Sequence, residues 1–225
     1  MEYVKYNETL PYSYVFGAFG TIELLENKTK ECKAIIVDPS FVKNEAYNKI
    51  KDICKQNNIP IIIDLKVINK IRDKGNIFVI GVFNKYTSLL TNGKHLVLYD
   101  INDVGVIGTI IRSMRGFSFE NLALINCKID LFNEHLIRST MGAFFQCNIQ
   151  EFNTLNDYIN TFANNELVNI STKGEELSNL NNVNNVSLIF SKDPLDNKKL
   201  KHINFKEDIS LDNIVNIVLF NLYSS

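Results

Sequence analysis

The chain has 225 residues, 45% hydrophobic and 22% charged, with 24 Lys and Arg against 25 Asp and Glu for a formal net charge of −1. This ordinary globular composition suits one large domain or two modest ones. It excludes global electrostatic attraction to nucleic acid, so any such contact must come from a local patch. No apolar run is long enough to span a bilayer, and Met1-Glu-Tyr-Val-Lys5 lacks the apolar core of a signal peptide. Cys32, Cys54, Cys127 and Cys147 have neither Cys-x-x-Cys spacing nor a nearby histidine. They are expected to be reduced, mostly buried thiols in a cytoplasmic protein, with no metal site.

The first third has an α/β rhythm. Val15-Phe-Gly17 leads into a short helix through Thr21 to Glu26, and Ala34–Val37 reads as a buried strand. Glu45 to Gln56 reads as a helix with Ala46, Ile50 and Ile53 on one side, and Ile59–Ile63 follows as a strand. Pro60 implies an edge position or a strand beginning. A helix containing Val67, Ile68 and Ile71 precedes the strand Ile77–Ile80. Strands separated by helix-length segments predict a compact α/β sandwich over 1–88. Lys28, Lys30 and Lys33 are either solvated or part of a polyanion-facing edge.

Asn84–Gly93, rich in Asn, Ser, Thr and Gly, reads as the linker to a second domain over 89–225. Strands recur at His95–Asp100, Leu122–Ile125, Leu167–Ile170 and Val186–Phe190, and their apolar, β-branched runs suit a parallel sheet buried on both faces. Between them a helix is expected from Leu155 to Phe162, and the Asn-rich stretch 179–185 reads as an exposed turn. Leu211–Tyr223 fits strand or helix by periodicity, and Ser210 as an N-cap favours helix.

One stretch organises this half: Asp103-Val-Gly-Val-Ile-Gly-Thr-Ile-Ile-Arg112-Ser-Met-Arg115-Gly-Phe117. Ile110, Ile111, Met114 and Phe117 fall at helical spacing, with Gly105 and Gly108 placed at the preceding turn. Arg112 lies off the apolar stripe, either as a surface arginine or as a guanidinium able to meet a phosphate or a developing charge. Asp103 reads as a helix cap, or with Asp100 as a magnesium pair. His95, His135 and His202 are scattered and read as structural or surface residues. Gly105-x-x-Gly108 carries Val106-Ile107, the wrong residues for an exposed phosphate clamp, and no Walker or Gly-x-Gly-x-x-Gly loop occurs.

Two further stretches, Leu136-Ile-Arg138-Ser-Thr140-Met-Gly142-Ala-Phe-Phe145 and Ser210-Leu211-Asp212-Asn213, follow in order. Together the three resemble the motifs of the SpoU/TrmH family of RNA ribose methyltransferases, in the SPOUT superfamily. Asp103, Gly108, Ile110 and Arg112 match the first motif; Arg138, Thr140, Gly142, Ala143 and Phe145 match the second. The resemblance implies a small ribosomal-protein-like substrate-binding domain, with Gly17 and Gly81 at typical positions, ahead of a trefoil-knotted α/β domain. It implies transfer of a methyl group from S-adenosylmethionine to a ribose 2′-hydroxyl of ribosomal or transfer RNA. Arg112 and Thr140 would be the catalytic positions; Ser191, Ile203, Leu211 and Gly142 would border the cofactor. A homodimer through the C-terminal helix is implied as well.

The chain departs from the family pattern at four places. Val106 stands where motif one has an Asn, and Ser191-Lys192-Asp193 where a Gly-x-Glu is typical. Ile203-Asn-Phe205 stands for Ile-Pro-Met, and Ser210-Leu211-Asp212 for Ser-Leu-Asn. The alternative function is a family member that has lost methyl transfer and binds RNA or a protein partner. A third is a small-molecule-binding α/β domain unrelated to RNA.

Overall fold

The computed structural model describes residues 2–72, 75–171, 185–192, 195–197, 200–204 and 209–224. The chain divides into two compact units.

The first unit comprises Met1–Tyr86 and Asp130–Gln146. Its first part runs β1 (Tyr12–Phe16), α1 (Ala18–Asn27), β2 (Cys32–Val37), α2 (Glu45–Gln56), β3 (Ile61–Ile63), α3 (Leu65–Ile71) and β4 (Val79–Asn84). The strands form one sheet in the order β1-β4-β2-β3, with β4 antiparallel to β1 and β2 and with β3 parallel to β2. β3 is thus an edge strand, as Pro60 implied. Asn44 and Asp64 cap α2 and α3 through their side chains, each accepting a backbone N–H two residues on. One face of the sheet packs Leu25, Ile35, Val37 and Ile50; the other packs Tyr14, Ile36, Ile68 and Ile80.

The second unit comprises Thr87–Ile129 and Cys147–Ser225. In chain order it contains β5 (His95–Tyr99), α4 (Val104–Gly116) and β6 (Asn121–Ile125). After α5 (Glu134–Ser139), which packs in the first unit, it resumes with β7 (Asn148–Phe152), α6 (Leu155–Thr161), β8 (Glu166–Ser171), β9 (Val186–Ser191), β10 (Lys201–Asn204) and α7 (Leu211–Ser224). Among the described residues the six strands are all parallel, in the order β10-β8-β9-β5-β6-β7. Leu96–Leu98, Leu122–Ile125 and Leu188–Phe190 are almost wholly buried, as strands covered on both faces must be. The α/β expectation holds in both halves. The Asn-rich stretch 179–185 lies, except for Asn185, outside the described residues.

One segment falls elsewhere than its place in sequence suggested. Residues 130–146, expected in the second domain, cluster with the first unit. The cause is aromatic packing: the Phe145 ring meets Phe83 edge-on at 5.2 Å, and Phe132 lies 6.2 Å from Phe83. Polar contacts add to it. Ser13 Oγ donates to the Phe132 carbonyl at 2.6 Å, Tyr6 donates to Asp130, and Gln146 donates to Glu23.

At the amino ends of the second sheet, His95 is fully buried. Its Nε2 lies 2.7 Å from the Thr91 carbonyl, which can only accept, so Nε2 carries the proton and Nδ1 accepts from Tyr158 Oη at 2.8 Å. Ser187 Oγ sits 2.6 Å from the same Tyr158 hydroxyl and accepts from Asn165. Burial lowers the His95 pKa, and the imidazole is a neutral structural member of this chain.

Candidate functional site

The strand order reverses at β5: β6 and β7 lie to one side, β9 and β8 to the other. In open parallel sheets the connections leave such a point in opposite directions, and a crevice forms beyond the carboxyl ends of the strands. A cavity of about 610 Å³ lies there. It is built from Ile101, Asn102 and Asp103 after β5, Val106 of α4, Ile170 near the end of β8, Ser191 at the end of β9 with Lys192 after it, and Ile209, Leu211 and Ile214 around the start of α7. Its volume is within the range of roughly 300–1,000 Å³ usual for small-molecule sites. Aliphatic side chains dominate, with a few polar groups at hand.

Asp103 fixes the entry to α4. Its Oδ1 accepts from Gly105 N at 2.8 Å and Val106 N at 3.0 Å. A cap of this kind contributes about 1 kcal/mol. Gly105 lies in the first turn, where an added Cβ would come within 3.2 Å of that same Oδ1. Gly108, expected at the turn, lies inside the helix and is buried. Ile107, Ile110, Ile111 and Met114 form the buried face of α4, whereas Arg112 is exposed. Among the described residues the Arg112 guanidinium has no hydrogen-bond or ion-pair partner. It stands about 9 Å further along the helix than Val106 and ~120° around it, and it does not line the cavity.

The predicted cofactor positions divide. Ser191 and Leu211, far apart in sequence, both line the cavity. Ile203 pairs with Ile170 in the β10–β8 ladder, but its side chain lies outside the described residues, as does Asp193. Gly142 and Thr140 belong to the first unit and are not among the lining residues. Thr140 is wholly buried; its hydroxyl donates to the Ile137 carbonyl at 2.7 Å and accepts from Phe144 N at 3.3 Å. Gly142 has φ +88, and a Cβ there would come within 2.6 Å of Glu23 Cγ, so a side chain would be both strained and crowded by α1.

Asn169 was not singled out from the sequence. It sits in the middle of β8 with no exposed surface, and its Nδ2 donates to the Ile189 carbonyl at 3.1 Å and to Ser191 Oγ at 3.2 Å. Its Oδ1 accepts from Leu195 N at 3.5 Å. An amide buried without such partners would cost about 1–3 kcal/mol.

The first unit has a polar groove of about 680 Å³, lined by residues that include Lys28, Lys30, Lys33, Asn57 and Asn58, with Glu31 beside them. It lies where α1 runs into β2 and where α2 ends.

The second unit is thus an α/β domain with a mostly apolar cavity at the switch point of a parallel sheet. Residues 93–193 match the family described as the SpoU rRNA Methylase family. The whole chain is similar in fold to an rRNA methyltransferase from Sinorhizobium meliloti, with a TM-score of 0.74 and 19% identity over 93% of this chain and 86% of that one. It is also similar to the SpoU methyltransferase AviRb from Streptomyces viridochromogenes in complex with AdoMet, with a TM-score of 0.77 and 12% identity over 95% of this chain and 90% of that one. No curated protein matches the chain in sequence.

Proposed function

We propose that this chain methylates a ribose 2′-hydroxyl of ribosomal or transfer RNA, using S-adenosylmethionine. The observation that carries the proposal is the convergence of Val106, Ser191 and Leu211, one from each of three separated stretches, on one apolar cavity. Aliphatic walls from Ile101, Ile170 and Leu211 suit a nucleoside face, and Asn102, Ser191 and Lys192 supply polar groups. The relatives described as AdoMet-bound have the same fold. The cofactor would supply an electrophilic methyl group; the protein positions the hydroxyl and eases loss of its proton. Arg112 is the group assigned to the developing alkoxide, because a guanidinium stays charged and aims its donors in a planar fork. Thr140, whose hydroxyl is engaged by its own turn, serves by shaping that turn around Gly142.

On this reading the domains keep their expected roles. The N-terminal domain contacts RNA through Lys28, Lys30 and Lys33, the C-terminal domain carries the knot, and two chains pair through α7. A second reading, binding without transfer, is favoured by one observation: Val106 places an isopropyl group in the cavity wall where the family motif has an amide.

S-adenosylhomocysteine at a hundred times its Kd should stabilise the protein by about 2.7 kcal/mol, a rise in Tm of roughly 5–10 °C. Leu211→Asp should abolish that rise and leave the circular dichroism spectrum unchanged. RNA incubated with protein and cofactor, digested and analysed by mass spectrometry, should contain new 2′-O-methylnucleosides. No thermal response at millimolar ligand overturns the proposal; a response without transfer selects the second reading.

A further inference from the structure

We propose that Asn169 is a positioning residue that holds Ser191 and Lys192 in the cavity wall and compensates for the serine that stands where the family motif has a glycine. The inference rests on the cofactor reading above for its ligand. Asn169 is not among the residues that line the cavity. It grips the wall segment on both sides: the Ile189 carbonyl and Ser191 Oγ before Lys192, and Leu195 N after it. Ile189 is also its register partner across the β8–β9 ladder, so the side chain reaches along a strand whose position is already fixed.

The chemistry explains why an amide is used. A glycine at 191 would leave no polar side chain to satisfy, whereas Ser191 brings a hydroxyl into a place only 7% exposed. The amide's two N–H groups meet one carbonyl and that hydroxyl, and its oxygen meets a backbone N–H. Leucine has nearly the same shape and could make none of these bonds. An apolar residue would be the ordinary choice at this point of β8, between Val168 and Ile170.

The test measures S-adenosylhomocysteine affinity by calorimetry and Tm without ligand for four full-length proteins: wild type, Asn169→Leu, Ser191→Gly and the double variant. Asn169→Leu should weaken binding tenfold or more while Tm changes by only a few degrees, since the leucine stays buried. Ser191→Gly should weaken it less, because the contacts to Ile189 and Leu195 persist. The double variant should match Asn169→Leu, the shared bond being lost only once. Unchanged affinity in Asn169→Leu overturns the proposal, as does a large fall in Tm with affinity preserved.

Amide hydrogen exchange gives an arm that needs no ligand. In Asn169→Leu the Lys192 and Leu195 amides should exchange at least tenfold faster while the β5 amides keep their protection. If wild type fails to bind the probe, the cofactor reading falls, and this arm still decides: equal exchange rates in the two proteins overturn the positioning role.

Discussion

Arg112 presents an exposed guanidinium on α4 with no partner among the described residues, so its charge is available to a ligand. If it stabilises the forming alkoxide, Arg112→Ala should lower turnover by about 10²–10³-fold, the scale for losing one such contact. Affinity for S-adenosylhomocysteine should be unchanged, because the side chain does not line the cavity. Arg112→Lys should restore little, since lysine keeps the charge and loses the planar fork. Single-turnover methylation assays check all three, and activity indifferent to Arg112→Ala would remove the residue from the chemistry. The Asp103 cap and the exposed position of Arg112 on α4 were legible because a capping side chain and an off-stripe arginine each leave a mark in one dimension. Asn169 left none: within Leu-Val-Asn-Ile it reads as an interruption of an apolar strand, and its partners lie about twenty residues away on β9. Thr140 illustrates the converse, since its place in a motif said nothing of a hydroxyl held by its own turn.

Among the elements of the second unit, the buried strands were easy to find and the edges were not. β5, β6, β8 and β9 are apolar runs, whereas β7 (Asn-Ile-Gln-Glu-Phe) and β10 (Lys-His-Ile-Asn) went unpredicted and occupy the two edges of the sheet. An edge strand keeps one side open to solvent, and polar residues there discourage pairing with other chains, so its sequence resembles a loop. α7 departs from amphipathic design in the opposite way. Val215, Val218 and Leu219 are buried, yet Ile217, Phe220 and Tyr223 lie 43%, 60% and 64% exposed on another face, with Phe117 of the second unit in ring contact with the last two. A helix apolar on more than one face ordinarily has more than one partner. The proposed pairing of two chains through α7 would cover this face, with an interface on the order of 2,000 Å² or more. Phe220→Asp should therefore convert a dimer to monomers in light scattering at micromolar concentration and lower Tm. A wild-type monomer with full thermal stability would refute the pairing.

At the scale of the whole molecule, the α/β class was legible from the rhythm of the chain. The clustering of 130–146 with the first unit was not, because it depends on which aromatic rings meet, and ring contacts leave no periodicity. Charge raises a related question, since a net charge of −1 provides no overall pull toward RNA. Any affinity must then come from local excess, and the groove holding Lys28, Lys30 and Lys33 is the candidate in the first unit. Lys28 is also held 5.2 Å over the Tyr86 ring, which limits its freedom before any phosphate arrives. These lysines have an ordinary alternative role, since cations near the ends of α1 and α2 offset the negative end of each helix dipole. The two roles separate by salt. If all three lysines neutralise phosphates of a single-stranded RNA, replacing them with glutamine should reduce the slope of log K against log salt by about 2, at ~0.7 per contact. A mixed-sequence RNA oligonucleotide serves as the probe, because phosphate contacts carry no sequence information. Fluorescence anisotropy between low and moderate salt gives the slope, and S-adenosylhomocysteine affinity should stay at the wild-type value. An unchanged slope accompanied by a lower Tm would assign the lysines to the helix ends and leave RNA recognition to another surface.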